Sequence, residues 1–196
     1  MSFTNISVRT SDTDAVAGAV KRLPRHMNAL VAPAERGWVT VFEESMDEPD
    51  DDRLSGYVVM LSDRLKTAAV GFLVFESDVL MYTAAENGRL ADQYSSWPDY
   101  FDENLPDEDH ERLAGNPKVL AQLAGVAELP VRRAMEAEHD FAEEKLAALA
   151  RALGLPPVVA QWGYNDLTDE SLEEGPANRT AFITIPYHAI SVLPSE

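Results

Sequence analysis

Ala68-Ala-Val-Gly-Phe-Leu-Val-Phe75 is apolar almost without a break, which is how a strand covered on both faces reads. After the interruption Glu76-Ser-Asp78 comes Val79-Leu-Met-Tyr-Thr-Ala84, a β-branched and aromatic run. Asn87-Gly88 follows, the dipeptide that most readily takes the positive φ angles of a tight hairpin, and Arg89 to Tyr94 alternates beyond it. The stretch predicts a β-meander, and the rest of the chain reads outward from it.

Upstream, Phe3, Ile6 and Val8 mark a first strand, and Ser11-Asp-Thr-Asp14 offers N-cap oxygens to a helix that Pro24 ends. The segment from Arg25 to Arg36 is ambiguous, since Met27, Leu30 and Val31 can make a short helix before Pro33, and Trp38-Val-Thr-Val-Phe42 has strand composition. Strand, helix and strand within about forty residues make a βαβ-like unit, right-handed if its strands are parallel. Leu54, Tyr57, Val58, Leu61 and Leu65 show the three-four spacing of an amphipathic helix, in which Gly56 permits close packing.

Downstream, Asn116 caps a helix with Pro117 at its first position and Gly125 just past its end. A second helix starts near Leu129 or Pro130. Phe141, Ala142, Leu146, Leu149, Ala150 and Leu153 stripe a third, stopped by Gly154 and Pro156-Pro157. Val158 to Tyr164 reads as a strand returning to the sheet, Thr168 to Gly175 as an acidic loop, and Ala181 to Ile185 as a strand confined to an edge by Pro186. The expected fold is α+β. A mixed or antiparallel sheet in the order β-α-β-α-β-β-β carries helices on one face, and a C-terminal helical portion follows. It is read as one domain over 1–196, with a sheet-forming half at 1–101 and a helical portion with returning strands at 112–196.

The chain has 34 acidic against 16 basic residues, a net charge of −18. Such a surface repels phosphate backbones and anionic membranes, so neither nucleic acid nor membrane is an expected partner. Cysteine is absent, which removes disulfides, thiolate metal sites and thiol nucleophiles together. With no secretory leader pattern and no apolar run of about 18–20 residues, a cytoplasmic protein is expected. Arg outnumbers Lys twelve to four, which suggests a GC-rich bacterial genome.

Seven of the ten residues from Glu43 to Asp52 are carboxylates. They lack the glycine and the alternating spacing of an EF-hand loop, so they read as a solvated loop and helix N-terminus. His139 and Glu143 stand four apart but lack a third ligand, and read as a solvated helix face. His26, His110 and His188 are scattered without evident partners. No serine-hydrolase elbow or phosphate-binding glycine loop occurs, and no cofactor or metal is expected.

At Glu76-Ser-Asp-Val-Leu-Met-Tyr82, Asn87 to Phe101, Gly115-Asn-Pro-Lys-Val-Leu120 and Phe141 to Pro156, continuing into Gly163-Tyr164, the chain resembles a family of bacterial proteins of unknown function. That family shows an Asp-Ser-Asp meander, a Tyr-x-Ser-x-Pro-x-Tyr-Phe loop and a Phe-Ala-Glu-Glu helix ending in Leu-Gly-Leu-Pro. The resemblance runs from about Trp38 to Tyr164 and implies no catalytic residue. The chain departs from it just before Ser77, where the family has Asp or His.

Trp97, Tyr100 and Phe101, with Asp99 between them and Asp50, Asp51 and Asp52 elsewhere, are the candidate interface residues. Aromatics flanked by charge make the anchor and rim of protein interfaces; they also serve as a plug over the open end of a sheet. Two functions stay open. One is a non-enzymatic acidic module that binds a basic protein, as small acidic immunity proteins do. The other is a small carboxylate- or metal-dependent enzyme or ligand-binding domain, which requires a pocket of convergent acids with a perturbed pKa.

Overall fold

A computed structural model describes residues 1–24, 27–48, 50–169 and 179–187. The elements in order are β1 (Phe3–Val8), α1 (Thr13–Val20), β2 (Ala29–Val31), β3 (Val39–Glu43), α2 (Asp51–Leu65), β4 (Ala68–Phe75), β5 (Val79–Glu86) and β6 (Arg89–Ser95). Then come α3 (Asp107–Arg112), α4 (Pro117–Ala124), α5 (Glu128–Glu136), α6 (Ala142–Leu153), α7 (Tyr164–Thr168) and β7 (Ile183–Ile185). The seven strands form one open sheet in the order β6-β5-β4-β1-β3-β2-β7, antiparallel throughout.

The meander is as expected. β4 pairs with β5 from Ala68↔Glu86 to Phe75↔Val79, and Asn87 and Gly88, at φ 52° and 81°, make the turn into β6. β4 is apolar on both sides because both sides are covered. Val70, Phe72 and Val74 share a core with Leu120, Val131, Leu146 and Leu149 of α4 to α6. Ala69 and Leu73 share the opposite core with α1 and α2, through Val16, Val20, Leu54, Val58 and Leu61. The helices of the first half thus lie on one face and the C-terminal helical portion covers the other, an α+β fold in three layers. Each fully buried Leu or Val contributes about 1.5–3 kcal/mol.

The glycine that lets α2 pack closely is not Gly56. A Cβ on Gly56 would meet only Met60 Cε at 3.8 Å, whereas one on Gly71 would lie 2.5 Å from both Leu54 Cδ1 and Val58 Cγ2. The close approach belongs to the strand, and it seats α2 directly on β4.

One expectation is corrected and two open ones are resolved. The ambiguous segment around Leu30 is a strand: β2 lies between β3 and β7, with Val31 opposite both Val41 and Ile183. Two sheet neighbours outweigh the weak local helix preference of three apolar residues. Arg36 and Gly37, at φ 55° and 81°, form a tight turn between Glu35 and Trp38 that folds β2 onto β3. This extra reversal makes β1 and β3 antiparallel, with Ile6 opposite Val41, so the right-handed crossover that parallel strands would have required does not arise. Val158 to Tyr164 is no strand; a 3-10 turn (Pro157–Ala160) leads into α7. Two prolines without N–H groups open it, and the buried Asn5 side chain of β1 donates to the carbonyls of Val159 and Trp162 at 2.8 and 3.4 Å. Trp162 and Tyr164 pack beside Phe42 and Leu167.

His26, His188, most of Thr168 to Gly175 and the final residues lie outside the described residues. No helix among those described is long and apolar enough to cross a membrane.

Candidate functional site

The β4–β5 turn organises one end of the sheet. Glu76 and Ser77 both have positive φ, 50° and 65°, and Asp78 N–H closes the turn on Phe75 O at 3.0 Å. Neither is the glycine or asparagine such a turn favours, and surrounding bonds hold it. Ser77 N–H donates to Met1 O at 2.8 Å, Glu76 N–H to Ser2 Oγ at 2.9 Å, and Ala142 N–H to Ser77 O at 2.8 Å. The Met1 ammonium donates to Ser77 Oγ at 2.7 Å, and that hydroxyl donates to Glu143 Oε1 at 2.6 Å. Glu143 is therefore not on a solvated helix face: its other oxygen is buried, with no hydrogen-bond partner among the described residues. His139 precedes α6, so the two do not share a helix face.

Around this turn the aromatic loop folds into a cluster. Phe75 stands 5.8 Å from Tyr100 and 5.1 Å from Phe101 between ring centroids, and Tyr100 is 5.2 Å from Trp97. Tyr100 Oη lies 3.3 Å from both Glu76 Oε2 and Asp78 Oδ2, able to donate to one at a time. Asp99 Oδ1 faces His110 Nε2 at 2.9 Å. The cluster does not bury itself: Trp97 remains 53% exposed and Phe101 60%, while Phe141, across the turn, is 55% exposed and Met1 58%. These are half of the large exposed apolar side chains among the described residues, gathered at one end of the sheet.

Between the aromatic loop and the α5–α6 connection lies an open cleft of about 740 Å³. Trp97 and Tyr94 line one side, Phe141 and Met135 the other, with the carboxylates of Asp78, Glu136, Glu138, Asp140 and Glu144 around them. Lys145 and His139 are its basic residues. Lys145 Nζ donates to Ala137 O at 2.7 Å, and desolvation lowers the pKa of its ammonium. Desolvation also raises the Tyr94 phenol to about 12, so it stays protonated.

Asp50, Asp51 and Asp52 begin α2, where Asp50 Oδ1 accepts from Arg53 N–H at 2.9 Å and Asp50 Oδ2 pairs with Arg53 at 3.1 Å. Asp51 and Asp52 are exposed in the first helical turn. Ser55 meets Thr83 near the middle of β5 and Ser62 meets Gly88 at the far hairpin, so α2 directs its N-terminus toward the end bearing the aromatic loop. The acidic run before it is not simply a solvated loop. Glu43 is buried and accepts from Ser45 N–H and Oγ at 3.0 and 2.6 Å, and Glu44 accepts from Asn28. Asp47 accepts from Tyr164 N–H at 3.1 Å and Asn165 N–H at 2.6 Å, anchoring α7.

Burial raises the carboxyl pKa of Asp47 and Asp92. Neither lines the cleft. Asp92 Oδ2 accepts from Tyr82 Oη at 2.7 Å and Asn116 N–H at 2.8 Å, joining β5, β6 and the start of α4. Both acids serve as fasteners between elements. Among the described residues no group of three or more His, Asp or Glu side chains is arranged to hold a metal ion.

Phe141, Asp140 and Glu138 are absent from the residues singled out in the sequence as an interface, since Phe141 reads there as part of the buried stripe of α6. The signal available was its position one residue before the helix. Comparison with protein-family models, with curated proteins and with solved structures found no match.

Proposed function

We propose that this protein is a non-enzymatic binding module that docks a basic protein at the aromatic end of its sheet, in the manner of small acidic immunity proteins. One observation carries the reading: Trp97, Phe101, Phe141 and Met1 stay exposed together around a turn rimmed by Glu76, Asp78, Asp99 and Asp140. Aromatic anchors inside a charged rim match the anatomy of protein interfaces, in which a few such anchors carry most of the affinity. The net charge of −18 speeds encounter with a cationic partner and makes it salt-dependent. Asp51 and Asp52, exposed at the start of α2, extend the same field toward this end.

The test is affinity capture from the native lysate with a salt gradient, read by mass spectrometry. A stoichiometric basic partner released by salt is expected. Trp97→Ala should weaken its binding by roughly 30-fold or more, as loss of about 2 kcal/mol at an anchor does. Leu90→Ser, at the exposed start of β6 beside the opposite hairpin, should leave it unchanged. A partner insensitive to Trp97 would refute this surface.

A further inference from the structure

We infer that the cleft beside Trp97 receives an arginine side chain of the partner, an assignment that rests on the docking reading above. The cleft sets two exposed ring systems, Trp97 and Phe141, among the carboxylates of Asp78, Glu138, Asp140 and Glu144. Apolar rings alone would suit any hydrophobic anchor, and carboxylates alone would be a solvated rim. Together they favour a cation with a flat face, and they converge from four segments: the β4–β5 turn (Asp78), the loop after β6 (Trp97), the connection between α5 and α6 (Glu138, Asp140 and Phe141) and the first turn of α6 (Glu144). A guanidinium is planar, weakly hydrated and able to stack on an aromatic ring while donating in pairs to a carboxylate; an ammonium is a hydrated point charge.

The charge in the cleft decides the sign of its ligand. Five carboxylates face one lysine and one histidine. Lys145 donates to Ala137 O at 2.7 Å, which ties its ammonium to the α5–α6 connection and leaves the carboxylates in excess. Asp140, Glu138 and Phe141 are all exposed, so a partner side chain reaches them without rearrangement of the core. At about 740 Å³ the cleft has room for the side chain and the backbone that carries it.

The experiment titrates the full chain with three capped peptides that differ at one position, arginine, citrulline or lysine. The readout is the indole N–H resonance of Trp97, assigned with Trp97→Phe. The arginine peptide should shift this resonance saturably, and the citrulline peptide, equal in shape but uncharged, should bind at least about tenfold more weakly. Asp140→Asn and Phe141→Ser should each weaken the arginine peptide several-fold, with Leu90→Ser as the unchanged control. Equal binding of citrulline or lysine, or no saturable shift, would overturn the assignment. If a basic partner is captured through Trp97 but is indifferent to Asp140 and Phe141, docking stands and the arginine cleft fails. If Trp97→Ala also leaves capture unchanged, both fail.

Discussion

Replacing Gly71 by alanine tests the packing that seats α2, and with it the placement of Asp50 to Asp52. The new Cβ would stand 2.5 Å from Leu54 Cδ1 and from Val58 Cγ2. Carbon atoms in contact prefer about 3.5–4.0 Å, so α2 must lift by roughly 1 Å or two side chains must leave their rotamers. Overpacking of this kind costs about 1–3 kcal/mol. Loss of glycine's freedom in the unfolded chain returns about 0.4–1 kcal/mol. The net expectation is roughly 1–2 kcal/mol of destabilisation, or a Tm lower by about 2–8 °C at this chain length. Thermal and urea unfolding followed by circular dichroism measure it. Leu54 is buried, so Leu54→Ala alone should cost about 2–5 kcal/mol. Because the alanine at 71 would occupy part of the space vacated at 54, the double variant should be more stable than the sum of the singles by at least about 0.5 kcal/mol. A Gly71→Ala variant as stable as the parent, or strictly additive singles, would refute the close approach.

Two further predictions concern the fasteners. Desolvation raises the Asp92 carboxyl pKa, so its protonated form is favoured in the fold; the associated stability is complete below the unfolded value near 3.8 and is lost as pH rises through the folded value. The bonds from Tyr82 Oη and Asn116 N–H both end on Oδ2, and the single oxygen of an asparagine can accept both; Gln93 N–H also bonds this carboxyl. Asp92→Asn should therefore hold or raise stability at neutral pH and flatten its decline above pH 3.8; urea midpoints across that range check this, and an unchanged slope would contradict the burial argument. Asp47 uses both oxygens, so Asp47→Asn should instead lose about 1–3 kcal/mol at neutral pH. Asn116 accepts from Lys118 and Val119 N–H at the start of α4. Asn116→Ala should cost about 0.5–2 kcal/mol in the same assay, and a neutral result would show that the cap is replaceable by water.

Local chemistry was legible wherever one residue type answers one local demand. Asn87-Gly88 satisfied a positive-φ turn, Asn116 and Gly125 bounded α4, and the Phe141 to Leu153 stripe with Gly154 marked α6 to within a residue. The acidic run shows the limit of such reading. Glu43, Glu44 and Asp47 look alike in sequence to Asp51 and Asp52, yet the first three bond to Ser45, Asn28 and α7 while the last two face water. Their partners for Glu44 and Asp47 lie 16 and 118 residues away in the chain, beyond any local pattern.

The sequence by itself determined the α+β class, the meander and most helix boundaries, because period, caps and turn residues act over a few neighbours. It also determined the acidic charge and the aromatic character of the Trp97 loop. Tertiary structure alone decided that β2 is a strand, that β1 and β3 are antiparallel, and that Val158 to Tyr164 leaves the sheet, because each depends on which distant backbone supplies the hydrogen bonds. It alone placed Phe141 across the cleft from Trp97. A side chain at a helix boundary belongs to the core or the surface according to what packs over it, and here the strained β4–β5 turn meets α6 through Ser77 and Ala142, leaving Phe141 outside.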